Sequence, residues 1–317
     1  MFLTDHNTLA PLTEGKESWY GPTLVLVGTE VTTNAGYLLL LDPRPEAPVQ
    51  ERGLPFAELL EAYRQGGSIV LLAHPDHPRL GWRDTLPAVD GIEVVDVFDQ
   101  VVATPWPRQL IGLLAYPANP VMAILSVVHW PRRVLEHWDR MTRERPTIGV
   151  LGLDAHGGIA LTEETGVRFP SHETAFRLGQ LHFVTREPLE HDEADRTRVY
   201  RAMRAGRFYN AFDGLARAAG FHFEAHRGGE AALMGDTVRS GAGWVFEVQV
   251  PPVGETVVRL LRDGEIVYDA PARGPLRLPV RAPGAYRVEV DLQVNLFPIA
   301  APRRMPWIFS NPIYVRP

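Results

Sequence analysis

The first two thirds of the chain alternate short apolar runs with longer segments of helical periodicity. Leu24 to Val27 is a continuous apolar run of strand length that ends at Gly28-Thr29-Glu30, and Tyr37 to Leu41 is another. Between Pro55 and Gln65 the apolar positions Phe56, Leu59, Leu60 and Tyr63 recur at helical spacing behind a proline, which predicts a helix. Ser68 to Ala73 predicts a strand ending at His74, and Ile92 to Val97 a further strand. Arg108 to Arg143 reads as mostly helix with proline breaks, and Thr147 to Leu153 as a strand ending at Asp154. Strand, helix and strand in series predict a parallel sheet and an α/β fold. Glu30, His74 and Asp154 each follow an apolar run, which in βα barrels is the face where active sites are assembled.

The pattern changes near Phe221. There Phe221, Phe223 and Ala225 alternate with His222, Glu224 and His226. Trp244 to Val250, Val257 to Leu261 and Tyr286 to Val290 read as strands between glycine and proline turns. Helical periodicity is lost. The expected organisation is therefore an α/β domain over 1–220 followed by a small β-sandwich over 221–317.

Composition narrows the chemistry. At 317 residues, 45% of them apolar, the chain can build a packed core. Its net charge of −6, with acids and bases interspersed, argues against a nucleic-acid partner, which would favour a clustered basic face. There is no cysteine, so disulfides, thiolate metal sites and cysteine nucleophiles are excluded. Any metal must be held by imidazole and carboxylate, which suits Zn, Mn or Fe. The longest apolar stretch, Leu113 to Trp130, is interrupted by Pro117, Asn119 and Pro120, so no membrane span is expected. Asp5 and His6 follow Met1 too closely for a secretory signal, and a cytoplasmic protein acting on a small molecule is expected.

Four short motifs could carry chemistry. Asp154-Ala155-His156 presents a carboxylate and an imidazole on one side of an extended segment; the same residues also fit a turn in which the aspartate caps a helix. His74 opens Pro75-Asp76-His77-Pro78, a loop stiffened by its prolines that would hold His74 as a ligand or simply leave its histidines in solvent. A carboxylate at Glu30 is costly unless paired or metal-bound. Thr4-Asp5-His6-Asn7 comes almost at the start of the chain, where a histidine is ordinarily exposed. His222 and His226 share one strand face and read as a solvated sandwich surface. No serine-nucleophile elbow, phosphate-binding glycine loop or His-Glu-x-x-His helix is present.

Taken in order, Thr4-Asp5-His6-Asn7, Gly28-Thr29-Glu30, Ala73-His74-Pro75 and Leu153-Asp154-Ala155-His156 resemble the motifs of the PHP (polymerase and histidinol phosphatase) metal-dependent hydrolases. Ala205-Gly206-Arg207-Phe208-Tyr209, Met234-Gly235-Asp236 and Pro306 to Tyr314 are similar to the two-domain, CehA/McbA-like branch. The resemblance implies a distorted (β/α)7 barrel and one to three divalent Zn, Mn or Fe ions. The implied ligands are His6, Glu30, His74, Asp154 and His156, with Glu30 able to bridge two ions. The implied activity is a phosphoesterase, or hydrolysis of a related ester or carbamate. Asp5 and His77 are candidate catalytic residues, and Arg79 and Arg83 could meet an anionic substrate. The chain departs from the family in two places. It has no His-x-His motif, so the first βα unit is expected to be missing, and Gly36-Tyr37 stands where the family often has a histidine. The competing expectation is a non-catalytic scaffold with a degenerate metal site and a partner- or glycan-binding sandwich.

Overall fold

A computed structural model of the chain describes residues 1–49, 55–77, 81–82, 87–155, 170–296 and 301–317. The fold is mixed α/β, and its strands lie in four sheets, each open among the described residues. No closed barrel is found there, and the (β/α)7 barrel that the resemblance implies, without its first βα unit, goes beyond this mixed α/β arrangement. The chain forms two compact units. One holds Met1–Glu93, Thr147–Gly149 and Phe183–Gly206; the other holds Val94–Pro146, Val150–His182 and Arg207–Pro317. The boundary expected after residue 220 falls inside the second.

The first unit begins with β1 (Phe2–Leu3), a short helix α1 (Ala10–Thr13), β2 (Ser18–Tyr20) and β3 (Thr23–Val27). These strands form one small sheet in the order β1-β3-β2. The chain then changes sheet. Gly28 lies between β3 and β4 (Thr29–Thr32), so close to the next strand that an added Cβ would stand 2.6 Å from the Leu40 carbonyl oxygen. A side chain there would push the strands apart. Glu30 is thus inside a new strand and not at the end of the Leu24–Val27 run. A short turn over Thr33–Gly36, closed by Thr33 N donating to Gly36 O at 2.9 Å, leads to β5 (Tyr37–Leu41). So short a link permits only an antiparallel pair, and β4 and β5 pair that way.

The helix predicted after Pro55 is α2 (Phe56–Gly66), which buries Leu59, Leu60 and Tyr63 and stops at Gly67, φ +75°. β6 (Ile69–Ala73) follows and is buried throughout. It pairs antiparallel with β5 and parallel with β7 (Gly91–Asp96). The five-stranded sheet runs β4-β5-β6-β7-β8, with β8 at Ile148–Gly152. It is mixed where a parallel sheet was expected.

In the second unit, α3 (Val97–Ala103) was not expected; α4 (Trp106–Ala115), α5 (Pro120–Leu125) and α6 (Arg132–Glu144) fill the stretch expected to be helical and break at prolines. After β8 come α7 (His172–Phe176) and β9 (Gln180–Phe183). The first unit contributes α8 (Ala194–Arg204), and β10 (Phe208–Ala211) returns to the second. Ten strands follow: β11 (His222–Arg227), β12 (Glu230–Leu233), β13 (Thr237–Arg239), β14 (Val245–Gln249), β15 (Thr256–Arg262), β16 (Glu265–Pro271), β17 (Leu276–Pro279), β18 (Gly284–Val294), β19 (Arg303–Ser310) and β20 (Ile313–Arg316). β10 pairs antiparallel with β19, so a strand from the α/β part of the sequence belongs to a C-terminal sheet. That sheet runs β13-β20-β18-β19-β10-β9, with β15 and β16 attached beside β18. A second sheet runs β12-β11-β14-β17. Phe246 of β14 meets Tyr286 of β18 with ring centroids 4.7 Å apart, joining the two sheets through aromatic packing.

Beside that core lies a buried charge network. Arg287 donates from Nε and Nη2 to Asp139 Oδ1 and Oδ2 at 2.9 and 3.0 Å, and its Nη1 pairs with Glu289. Arg259 Nη2 stands 2.7 Å from Asp291 Oδ2, and Trp130 Nε1 donates to Asp291 Oδ1 at 2.7 Å. Burial alone pulls the Arg287 pKa down, but Glu289 and Asp139 outweigh it and hold the guanidinium above its ordinary value. The alternate positions Arg287, Glu289 and Asp291 of β18 are therefore buried against Asp139 of α6, Arg259 and Trp130, and not turned to water.

Candidate metal centre

Main-chain pairing positions the first candidate ligand, His6. Leu26 N donates to Met1 O and Gly28 N to Leu3 O, each at 2.8 Å, so the N-terminal strand tracks β3. It then passes to β4, where His6 forms a parallel bridge with Glu30. Asn7 N donates to Glu30 O at 2.9 Å, and Glu30 N to Asp5 O at 3.3 Å. Asn7 takes φ +51°, a left-handed conformation that asparagine tolerates. Its side chain accepts from Thr32 N at 2.8 Å and donates to Thr32 Oγ1 at 3.0 Å, which pins the segment to β4. The Thr4-Asp5-His6-Asn7 motif is thus a clamp whose neighbour strand carries Glu30.

Glu30 is 6% exposed, and among the described residues its Oε1 has no hydrogen-bond donor. Two imidazole nitrogens flank that oxygen: His6 Nδ1 at 3.6 Å and His74 Nε2 at 3.5 Å. Both separations are too long for an N–H···O hydrogen bond. They lie just above the ~3.0–3.4 Å between two donors that share one ion at about 2.1 Å. A buried carboxylate oxygen without a donor, between two imidazoles, is a donor set suited to a divalent transition metal. His6, Glu30 and His74 therefore fit the group that the sequence motifs imply.

His74 follows β6 with φ +49°, uncommon for a residue with a side chain. Such a conformation persists only where its surroundings hold it. Here Glu93 Oε2 accepts from His74 N at 3.1 Å, and both residues are buried. Glu93, in the middle of β7, was not anticipated. The available signal was a lone acidic residue inside the otherwise apolar run Gly91-Ile92-Glu93-Val94-Val95. Tyr37 stands edge-on to His74 with ring centroids 5.9 Å apart, and the His77 ring lies 6.1 Å from that of His74. His77 is half-buried, and Asp5 is exposed.

Asp154 lies two residues beyond β8, half-buried, with φ +45°. Like His74 it combines a strand end, a ligand-type side chain and a left-handed backbone. His156, Arg79 and Arg83 lie outside the described residues. The second unit holds another feature that sequence reasoning did not place: His182 Nε2 and Asp213 Oδ2 are 2.8 Å apart, and the His182 ring stacks on Tyr209 at 4.6 Å. Among the described residues no helix is long and apolar enough to cross a membrane.

No family model, curated protein or solved structure gives a significant match to the chain.

Proposed function

We propose that the chain is a metal-dependent hydrolase of the PHP kind, acting on phosphoesters. The observation that carries the proposal is Glu30: a buried carboxylate oxygen with no donor among the described residues, 3.6 and 3.5 Å from the ring nitrogens of His6 and His74. Such an oxygen is costly to bury unless a cation meets it. His6, Glu30 and His74 would hold the ion, and by motif Asp154 and His156 belong to the same set. The ion would supply a polarised water and offset charge on the phosphoryl oxygens. Glu93 holds the main chain of His74, so that the imidazole is aimed before any ligand arrives. His77 would donate a proton to the leaving group, and Arg79 and Arg83 would meet the substrate anion. On this reading the β4–β8 sheet is the metal-bearing part of a distorted (β/α)7 barrel, and the chain works without a nucleic-acid or membrane partner.

The test is turnover of 4-nitrophenyl phosphate and its diester by protein stripped with chelator and then resupplied with Zn, Mn or Fe. Turnover should appear only with metal and should fall at least a hundredfold in His74→Ala and Asp154→Asn. Tyr37, standing against His74 where the family often has a further imidazole, favours a second reading, a scaffold with a degenerate site. Metal-independent background rates throughout would leave that reading in place.

A further inference from the structure

We propose a second cation site, on the solvent face of the four-stranded sheet, formed by His222, Glu224 and His226 of β11 with Glu247 of β14, and taking a divalent transition metal such as Zn. It is independent of the Glu30 centre and of the hydrolase proposal. Strand alternation sets it up: Phe223 and Ala225 point into the core at 1% and 0% exposure, so His222, Glu224 and His226 share the opposite face. The Glu224 carboxylate sits between the imidazoles. Its Oε2 is 3.2 Å from His226 Nε2, and its Oε1 is 3.9 Å from His222 Nδ1.

The 3.2 Å separation is that of two neighbouring ligands on one ion, whose donors stand ~3.0–3.4 Å apart for bonds near 2.1 Å. Glu224 and His226 are in place as they stand. His222, the most exposed of the three with its Nδ1 3.9 Å from Glu224, would have to turn its side chain to join them. The register adds a second carboxylate, since Glu224 lies directly opposite Glu247 on β14. Like charges at facing positions repel unless a cation lies between them. Arg277 of β17 answers only in part, because its Nε is 3.7 Å from Glu247 and both side chains are well exposed. Two imidazoles and two carboxylates favour Zn, Ni or Cu over Ca or Mg.

The test is calorimetric titration of Zn into the intact chain, the double variant His222→Ala/His226→Ala, Glu224→Gln, and each of these with Glu30→Gln added. The unsubstituted chain should bind one more Zn than the double variant, with micromolar affinity. Glu30→Gln alone should keep that ion, and Glu224→Gln should weaken it at least tenfold. The substituted side chains lie on the solvent face, and circular dichroism will show that the variants fold. Equal Zn stoichiometry and affinity in the unsubstituted chain and the double variant would overturn the proposal, as would a Glu30→Gln chain that binds no Zn.

Discussion

Replacing Glu30 by glutamine should move stability in opposite directions with and without metal. The wild-type carboxylate is buried at 6% exposure, and among the described residues its Oε1 has no donor. Glutamine removes the charge at nearly constant shape, and its amide can donate to an imidazole nitrogen on either side. Relief of an unsatisfied buried group is worth about 1–3 kcal/mol, so chelated E30Q should be more stable than wild type by that order. With metal the sign reverses. An ion at a hundred times its Kd stabilises the folded chain by about 2.7 kcal/mol. If losing the central carboxylate weakens binding ~100-fold, the same concentration leaves about 0.4 kcal/mol by the same relation. Urea unfolding of both proteins, in chelator and in excess Zn or Mn, reads both effects. A surface ion on the C-terminal sheet would add equally to both chains and cancel in the difference. An E30Q chain that is the less stable protein in chelator, with metal stabilising both chains equally, would refute a cation-dependent role for Glu30.

Three further outcomes follow from the packing. Arg287→Met should cost about 3–5 kcal/mol in urea unfolding, because it leaves Asp139 buried without its cation and Glu289 with only Arg259, 3.5 Å away; adding Asp139→Leu and Glu289→Leu should recover most of the loss, and no recovery would place the cost in shape and not charge. Gly28→Ala should cost about 1–3 kcal/mol and also weaken metal binding, because its Cβ would meet the Leu40 carbonyl at 2.6 Å and displace Glu30; a neutral effect on metal content would separate the strand switch from the site. Burial pushes the Tyr63 pKa up to about 12, and burial with the nearby Asp213 charge does the same for Tyr209. Because these folded-state pKa values are raised, their stabilisation is full below pH ~10 and is lost as the pH rises toward about 12. Absorbance titration at alkaline pH should therefore show a late phenolate phase, and a single phase near pH ~10 would contradict it.

Much of the local structure was legible because it depends on short-range pattern. The Pro55 helix, the buried strand before His74 and the strands after Phe221 all lie where periodicity puts them. Pattern could not say which strands pair. The apolar run to Val27 and the next strand read as one element with Glu30 at its end, whereas Gly28 moves the chain into another sheet. Direction was equally hidden: the β4–β5 turn over Thr33–Gly36 and the antiparallel β5–β6 pair make the sheet mixed. β10 looked like part of the α/β domain because nothing local shows that its partner is β19, a hundred residues downstream. At the candidate site, His6, Glu30 and His74 were visible as ligand types beside apolar runs. Glu93 was not picked out, because its role is to accept from the main chain of His74, which a search for side-chain motifs does not detect. β18 is similar. Nothing local to Arg287, Glu289 and Asp291 shows that Asp139 of α6, Arg259 and Trp130 meet them in a buried network.

The most direct test of the central claim is the metal content of the full chain, measured by elemental analysis after chelation, resupply with Zn or Mn, and removal of free ion. Wild type and E30Q should be compared in the His222→Ala/His226→Ala background, so that only the Glu30 centre is counted. Wild type should retain at least one ion per chain where E30Q retains less, with phosphoester turnover rising in step with occupancy. Equal, substoichiometric metal in both proteins, with no turnover in either, would contradict the account.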